Sequence, residues 1–354
     1  MIAGGRPILI TGGAGFIGSN LADRLAGEGH EIIIYDALSR PGVERNLAWL
    51  KSRHGPRITH IAGDIRDEDE VVRAAAEAGA VFHMAAQVAV TTSLADPRED
   101  FDINIRGTIN LLDAVRARSE PVPVIFASTN KVYGDLADIE FDTLHGRYEP
   151  KSFMSRRGIA ESRPLDFHTP YGCSKGAADQ YVLDYARSFG VPTLVFRMSC
   201  IYGQRQMGTE DQGWVAHFLI RALEDRPITI YGDGLQVRDI LHVDDAVNAY
   251  VAGLSSIERV SGRAFNLGGG PANAVSLLEL VEEMRAVTGR DIQLSFEDWR
   301  QGDQHWFVAD TSAARAEFGL PTPRGWRDGV AGLAQWLATE RGPKLQRELA
   351  SAAQ

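Results

Sequence analysis

A tyrosine and a lysine four residues apart could perform acid–base chemistry on a hydroxyl group. Tyr171 and Lys175 fall within a predicted helix, where this spacing places them on one face, about one turn apart. Because a nearby ammonium favours the phenolate, we expect the pKa of Tyr171 to be lowered toward neutrality. Such a phenolate can accept a proton from a sugar hydroxyl, and Thr129 could hydrogen-bond the same oxygen. Taken alone, the spacing is also typical of a surface pair.

A glycine-rich turn near the N-terminus could bind the pyrophosphate of a dinucleotide. Gly12, Gly15 and Gly18 follow an apolar run and precede a helix that begins with Phe16 and Ile17. Glycines at a strand-to-helix turn permit a tight bend and a close approach to the phosphates. The alternative is a purely structural turn between a strand and a helix.

An acidic residue distinguishes between the two nicotinamide dinucleotides. Asp36 ends the second apolar run, about twenty residues beyond the glycines, where a carboxylate accepts the ribose 2′-hydroxyl of NAD. Arg40 lies four residues further on and could accept the 2′-phosphate of NADP instead. We expect NAD, because a carboxylate repels that phosphate.

The elements that must position these residues alternate between strand and helix through the first half of the chain. This order predicts an α/β fold with a doubly wound parallel sheet of the Rossmann type. In such a sheet the strands end at one edge, where ligands bind. The predicted strand ends include residues 12–18, Asp36, Asp64, residues 85–86 and Thr129.

The pattern becomes irregular in the second half, which predicts a smaller mixed α/β lobe. Residues 134–170 show no clear period and read as a long functional loop. One long helix is predicted over residues 96–118. We assign residues 1–198, with a return segment near 233–262, to the Rossmann domain. The second lobe then comprises residues 199–232 and 263–345, and residues 346–354 form a frayed tail.

Composition excludes several classes of partner. The 354 residues carry a net charge of −10, which argues against nucleic acid or an anionic membrane surface. The two cysteines are too few for a disulfide framework, and no metal-ligand spacing is visible. There is neither a leader-like N-terminus nor an apolar run of membrane-spanning length, so we expect a cytoplasmic protein.

Five short motifs resemble the extended short-chain dehydrogenases/reductases that act on nucleotide sugars. They are GGAGFIG at 12–18, HMAA at 83–86, STNKVYG at 128–134, YGCSK at 171–175 and RDILHVDD at 238–245. The resemblance extends over residues 7–340. Two longer strings, at 128–135 and 165–181, together with the segment 202–214, resemble the CDP-paratose 2-epimerase (CDP-tyvelose 2-epimerase) branch.

This resemblance implies tightly held NAD, with Thr129, Tyr171 and Lys175 as the catalytic triad. It further implies that C2 of a CDP-hexose is inverted by hydride transfer to NAD and return to the opposite face of the sugar. The residues expected at the cofactor are Gly12, Gly15, Phe16, Ile17, Gly18, Asp36, Arg40, Asp64, Ile65, Ala85, Ala86, Asn104, Ser128, Tyr171 and Lys175.

The expected substrate contacts are of two kinds, to the diphosphate and to the hexose. Arg238 and Arg300 are candidates for the diphosphate, since a guanidinium binds phosphate oxygens in pairs; each could instead form a surface ion pair. The residues expected at the hexose are Thr91, Thr92, Asn130, Lys131, His168 and Arg205. His168 could instead be an ordinary loop residue, and Asn104 could be a structural cap rather than the ligand of a water.

Residues 130–131 separate this chain from related sugar dehydratases. Those enzymes carry an Asp-Glu pair directly after the threonine, whereas this chain has Asn130 and Lys131. Lys131 could bind the substrate, order the long loop, or transfer a proton itself if its pKa were lowered. Two other functions stay open, a nucleotide-sugar 4-epimerase of the UDP-galactose or UDP-glucuronate type and a non-catalytic NAD-binding protein. A homo-oligomer, either a dimer or a tetramer, is expected from the resemblance.

Overall fold

A seven-stranded parallel sheet forms the larger part of the protein. The computed structural model describes residues 5–152 and 155–342. The strands of this sheet are β1 (Ile8–Thr11), β2 (Ile32–Tyr35), β3 (Ile58–Ile61), β4 (Ala80–His83), β5 (Val124–Thr129), β8 (Thr193–Met198) and β12 (Arg263–Leu267). Their order is β12-β8-β5-β4-β1-β2-β3, and every neighbouring pair is parallel. The predicted doubly wound sheet is therefore confirmed.

Helices cover both faces of this sheet. Those in the first part of the chain are α1 (Phe16–Gly27), α2 (Val43–His54), α3 (Glu68–Ala75), α4 (Val90–Ala95), α5 (Pro97–Phe101), α6 (Gly107–Arg116) and α7 (Thr169–Phe189). One core lies under α1, α2 and a later helix, α9 (Val243–Ser255). The other lies under α3, α6 and α7. Because both faces are covered, the strands are continuous apolar runs, which is why the sequence could predict them.

The chain changes direction across the sheet between β1 and β4. β1 pairs with β2 on one side and with β4 on the other, so the connections diverge from its carboxyl end. A crevice forms at such a switch point and receives ligands in open α/β sheets. The turn after β1 therefore lies at the centre of the edge that positions the site.

The predicted helix over residues 96–118 is divided in the structure. α5 passes into a π-helical turn, Asp102–Arg106, and then into α6. A π turn inserts one extra residue into a helix and is often found at functional sites. A single sequence with helical periodicity does not reveal it, and α4 was not predicted either.

The second part of the chain builds a smaller lobe around small sheets. Its remaining strands are β9 (Cys200–Tyr202), β10 (Ile228–Tyr231), β11 (Val237–His242), β13 (Ala274–Ser276), β14 (Leu294–Glu297) and β15 (Trp306–Phe307). Its helices are α8 (Trp214–Leu223), α11 (Leu277–Thr288) and α13 (Trp326–Arg341), whereas α10 (Ile257–Val260) and α12 (Ser312–Phe318) pack with α9 on the large sheet. β10 pairs with β14, while β11 pairs with β9, β13 and β15.

β11 was not predicted, because three of its six residues are polar although all six are buried. Asp239 accepts hydrogen bonds from Ser199 Oγ and from the backbone N–H of Gly270 (2.9 Å). Arg238 pairs with Asp303 at 2.6 Å. Paired polar groups are tolerated in a core, so a buried strand with polar residues could not be recognised from the sequence.

The long loop predicted over residues 134–170 contains a β-hairpin. β6 (Phe141–Leu144) and β7 (Arg147–Pro150) pair antiparallel. The hairpin packs on the second lobe, where Phe141 lies 6.4 Å from Trp306 between ring centroids. These short strands have mixed charge and no alternating pattern, so the prediction of an irregular loop was wrong here.

Two strand pairings bear on the predicted domain limits. β12 pairs with β8 in the large sheet, although residue 263 was assigned to the second lobe. β11, assigned to the return segment of the Rossmann domain, pairs instead with the strands of the smaller lobe. The two-lobe division otherwise stays a prediction, and the tail predicted over 346–354 lies outside the described residues. In the described ranges, no helix combines the length and apolar character needed to cross a membrane.

Candidate active site

A cleft of about 690 Å³ lies at the carboxyl ends of the parallel strands and extends to the smaller lobe. Most of the predicted site residues line it. They are Gly12, Gly15, Phe16, Ile17, Gly18, Asp36, Arg40, Asp64, Ile65, Ala85, Ala86, Thr91, Ser128, Thr129, Asn130, Lys131, Tyr171, Lys175, Arg238 and Arg300. The fold thus brings together residues that are up to 288 positions apart in the sequence.

The glycine turn fits a dinucleotide because side chains have no room there. Gly12 has a φ of +65°, and a Cβ on it would lie 2.7 Å from the backbone nitrogen of Ala85. A Cβ on Gly18 would lie 2.5 Å from the carbonyl oxygen of Gly12. α1 begins directly after Gly15, and its uncapped N–H groups and positive dipole end face the cleft. These features suit a pyrophosphate group.

Replacing Gly18 should weaken binding of a nicotinamide dinucleotide. In Gly18→Ala the new methyl group meets backbone atoms that cannot rotate away, so the turn must shift at a cost of about 1–3 kcal/mol. We expect about a 5- to 150-fold rise in the Kd for NAD, measured by fluorescence titration. The matched control is Gly27→Ala at the other end of α1, where a Cβ meets nothing within 4 Å. Equal affinity in the two variants would contradict this reading of the turn.

Asp36 is fixed by the backbone at the end of β2. Its Oδ2 accepts the N–H of Ala14 at 2.9 Å, and its Oδ1 accepts the N–H of Leu38 at 2.8 Å. Each oxygen keeps a further lone pair, which a ribose hydroxyl can use. Arg40 also lines this end, where burial lowers the pKa of its guanidinium. Asp64 is engaged with Arg66 (2.6 Å), an interaction that lowers the pKa of its carboxyl.

Thr129, Tyr171 and Lys175 meet where β5 ends beside the first turns of α7. All three are buried and line the cleft. Thr129 is within hydrogen-bonding reach of the Tyr171 phenol and acts to lower its pKa. The Nζ of Lys175 lies over the ring of Phe126, 4.1 Å from its centroid.

The expected lowering of the Tyr171 pKa was wrong for this state of the protein. Burial raises the pKa of Tyr171 to about 12, and the charge of Asp100 adds to this effect. Burial also lowers the pKa of Lys175 to about 7. The cause is desolvation, which disfavours the charged form of both groups. The helical spacing gave their proximity, whereas their burial is a property of the fold.

Lys131 lies two residues beyond Thr129 and is held by the loop before β15. Its Nζ donates to the carbonyl of Gly302 at 3.0 Å and lies 4.0 Å from Asp303. Burial lowers the pKa of Lys131 to about 8, with Arg238 acting in the same direction and Asp303 opposing it. Asn130 donates to Gln304 at 3.3 Å, so both residues are linked to this loop.

Both candidate diphosphate ligands are paired with carboxylates across the cleft. Arg238 donates to Asp303 at 2.6 Å. Arg300 donates to Glu210 at 3.0 Å, and its guanidinium carbon lies 3.7 Å from the ring centroid of Tyr231. The surface-pair alternative therefore describes part of what the structure shows, although both arginines line the cleft.

Four predicted residues are not on the described wall of the cleft. Thr92 is exposed, and Asn104 is buried behind the wall, where its Nδ2 donates to Ser174 Oγ at 3.0 Å. His168 pairs at the surface with Asp166 and Asp135, at 3.1 and 3.5 Å. The structure thus places His168 as the loop alternative describes, and its contact with the hexose stays a prediction.

Arg205 also departs from the prediction that it faces the hexose. Its guanidinium carbon lies 4.0 Å from the ring centroid of Trp49 on α2 and 5.4 Å from that of Trp336 on α13. The side chain thus joins the two parts of the molecule outside the described cleft wall. Its position depends on α13, which is more than a hundred residues distant, so no local pattern could indicate it.

Sequence reasoning missed three acidic residues of the site, Asp303, Glu210 and Asp100. The first two line the cleft and hold Arg238 and Arg300. A usable signal existed for Asp303, since arginines predicted in a pocket require partners for their charge. Glu210 and Asp100 gave no such signal, because acids are common in loops and on helices.

Comparisons with known proteins agree with this geometry. The model of the NAD dependent epimerase/dehydratase family matches residues 8–268. A CDP-paratose 2-epimerase of Salmonella typhi is 43% identical over 339 residues, which cover 94% of this chain and 99% of the relative.

Solved structures similar to this chain include further nucleotide-sugar epimerases. UDP-glucose 4-epimerase with UDP-glucose from Thermotoga maritima has a TM-score of 0.81 and 30% identity, covering 95% of this chain and 100% of that one. UDP-glucuronic acid 4-epimerase from Bacillus cereus, in complex with UDP-glucuronic acid and NAD, also has a TM-score of 0.81, with 27% identity over 94% and 99% of the two chains. The fold, the cleft and these matches together show that this chain belongs to the NAD dependent epimerase/dehydratase family.

Proposed function

We propose that this protein is an NAD-dependent epimerase that inverts C2 of a CDP-activated hexose. The observation that carries the proposal is 43% identity to a CDP-paratose 2-epimerase over nearly the whole of both chains. Asn130 and Lys131 support it, because they stand where the related dehydratases need an acidic pair.

NAD is the cofactor that the residues of the cleft fit. Gly12, Gly15 and Gly18 leave room for its pyrophosphate, and Asp36 offers carboxylate oxygens to the ribose hydroxyls. The negative charge of Asp36 disfavours the additional phosphate of NADP. When bound, NAD supplies a reversible acceptor for the hydrogen that leaves the sugar carbon with its electron pair.

The residues of the chain supply the proton chemistry. Tyr171 takes the proton of the sugar hydroxyl and later returns it, while Thr129 holds the same oxygen. Both side chains lie in the cleft at the end of β5, away from bulk water. The sugar carbon becomes planar and is reduced again on its other face after the hexose has turned. No second redox substrate is needed, because the electron pair returns to the same carbon.

The nucleotide must stay bound while the hexose turns. Arg238 and Arg300 are proposed to hold the diphosphate, in exchange for part of their contact with Asp303 and Glu210. Lys131 and Asn130 are proposed to contact the hexose beside Thr129. Asn104 lies behind the wall of the cleft, so it is proposed to support α7 through Ser174 rather than to contact the cofactor.

An isotope experiment tests the reaction and its mechanism together. The protein is incubated with CDP-, UDP- and GDP-hexoses in deuterated water, and the products are read by NMR. We expect inversion at C2 of a CDP-hexose, with protium retained at that carbon because the hydrogen returns inside the cleft. Deuterium at the inverted carbon would overturn this mechanism and implicate proton transfer by Lys131.

A nucleotide-sugar 4-epimerase is the second candidate, favoured by the two UDP-sugar 4-epimerase structures. Inversion at C4 of a UDP-hexose in the same experiment would replace the proposal by this one. Inactivity on every nucleotide sugar by a protein that binds NAD would favour the non-catalytic alternative. A homo-oligomer and a cytoplasmic location stay predictions.

A further inference from the structure

Asp100 is a buried carboxylate that the proposed mechanism does not use. It lies on α5, is 1% exposed, and stands behind the cleft rather than on its described wall. Its Oδ1 accepts hydrogen bonds from Gln87 Nε2 at 3.0 Å and from Asn104 Nδ2 at 3.2 Å. A charge this deep is costly unless it is paired, so its surroundings call for an explanation.

The contacts of Asp100 lead directly to the catalytic helix. Asn104 Nδ2 also donates to Ser174 Oγ at 3.0 Å, and Ser174 Oγ donates to the carbonyl of Tyr171 at 3.3 Å. Ser174 immediately precedes Lys175 in α7. One hydrogen-bonded chain therefore connects the carboxylate to the segment that carries both catalytic side chains.

The charge of Asp100 also acts on both catalytic side chains of this segment. The charge of Asp100 raises the pKa of Tyr171, in addition to burial, and partly offsets the lowering of the Lys175 pKa by burial. Lys175 in turn lowers the pKa of Asp100, against the larger raising effect of burial.

Other titratable groups among the described residues also lie around Tyr171 and Lys175. Asp179 is the second carboxylate that acts on Lys175. His83 is neutral on the far side, because burial and Lys175 lower its pKa to about 3. Asp102 and Arg106, on the π turn beside α5, pair with each other at 3.3 Å. α4 contributes no titratable side chain.

We propose that Asp100 is a positioning residue that sets the protonation of the Tyr171–Lys175 pair from behind the cleft. It keeps a proton on Lys175 and opposes the formation of a phenolate until positive charge enters the cleft. The proposal rests on the proposed function for its meaning in catalysis, whereas the charge coupling itself can be measured without turnover.

The loss of the negative charge of Asp100 sets the direction in which the pKa values of Lys175 and Tyr171 change. In Asp100→Asn the ammonium of Lys175 loses an attractive partner, so Lys175 should release its proton at lower pH. The phenolate of Tyr171 loses a repulsive neighbour, so it should form at lower pH as well. Both apparent pKa values therefore fall in the variant.

The test uses NMR of lysine side chains labelled with ¹³C at the ε position. The chain has five lysines, so the resonances are few, and Lys175→Met identifies the one of interest. With wild type and Asp100→Asn in the same nucleotide state, we expect Lys175 to titrate about one pH unit lower in the variant. Lys131 provides an internal control, because its pKa depends on burial, Arg238 and Asp303 rather than on Asp100.

Two further variants separate charge from structure. Asp100→Glu keeps the charge and should keep the wild-type titration of Lys175, whereas Asp100→Ser should reproduce the shift if Asp100→Asn does not fold. Asp102→Asn removes a nearby acid that pairs with Arg106 and should leave the titration unchanged. An unshifted Lys175 in folded neutral variants would overturn the proposal, whatever the activity.

Activity adds a second readout once a substrate is known. The limb of the kcat/KM profile that rises with pH reports the proton loss of the base, so it should move to lower pH in Asp100→Asn. A uniform fall in kcat with an unmoved limb would show a purely structural role. Absence of turnover in wild type would instead count against the proposed function and leave the NMR result valid.

Discussion

Tyr171→Phe should lose nearly all epimerase activity while still binding NAD. The substitution removes only the hydroxyl group that takes and returns the proton of the sugar, and the buried ring keeps its volume. General acid–base catalysis contributes about 10²- to 10⁴-fold, so we expect kcat to fall by a factor in that range. The measurement is turnover of the nucleotide sugar by NMR, together with the NAD content of the purified variant.

The matched control is Tyr181→Phe on the same helix. Tyr181 is 45% exposed and lies outside the described wall of the cleft, so loss of its hydroxyl should leave turnover and NAD content unchanged. Comparable rates for Tyr171→Phe and Tyr181→Phe would remove Tyr171 from the mechanism. Loss of NAD from Tyr171→Phe would show instead that the phenol is needed to bind the cofactor.

Asp179→Asn should strongly destabilise the fold, because it breaks a buried ion pair that fixes the catalytic helix. Asp179 on α7 accepts hydrogen bonds from Arg197 on β8, at 2.9 and 3.0 Å, and from Ser128 on β5, at 2.8 Å. The side chains of the pair are at most 6% exposed. Loss of one partner leaves a buried uncompensated charge, so the free energy of unfolding should fall by about 3–5 kcal/mol. Denaturant unfolding monitored by circular dichroism measures it.

Two controls separate the buried pair from charge in general. Asp184→Asn breaks an exposed pair with Arg187 on the same helix and should cost less than about 1 kcal/mol. The double variant Asp179→Leu with Arg197→Met removes both charges and should recover most of the lost stability. If the double variant were as unstable as Asp179→Asn, the uncompensated charge would not be the cause.

The local periodicities of the chain predicted the large sheet closely. β2 and β8 begin and end where the runs at residues 32–35 and 193–198 predict strands, since short apolar runs between turn-forming residues are strong local signals. The strands of the smaller lobe were harder to predict. β11 contains paired polar residues, and β13 has only three residues, so neither shows an apolar pattern.

The candidate site divides in a similar way. Residues on strand ends or in the glycine turn, such as Gly12, Asp36 and Thr129, could be predicted, because a parallel sheet brings strand ends to one edge. Residues on loops, such as Arg205 and His168, could not be placed, because a loop position depends on distant contacts. Asp100 was missed because its importance comes through Asn104 from Ser174, a residue of another helix that only packing brings near.

By itself the sequence determined the parallel sheet, the glycine turn that suits NAD and the placement of Tyr171 and Lys175 one turn apart on a helix, because each depends on spacing within one or two neighbouring elements. The tertiary structure alone decided the environment of that pair. Burial from several elements raises the pKa of the phenol and lowers that of the ammonium, and the partners of Arg238 and Lys131 come from a loop about 65 to 172 residues away. Desolvation and long-range charge depend on the whole fold, which no local pattern encodes.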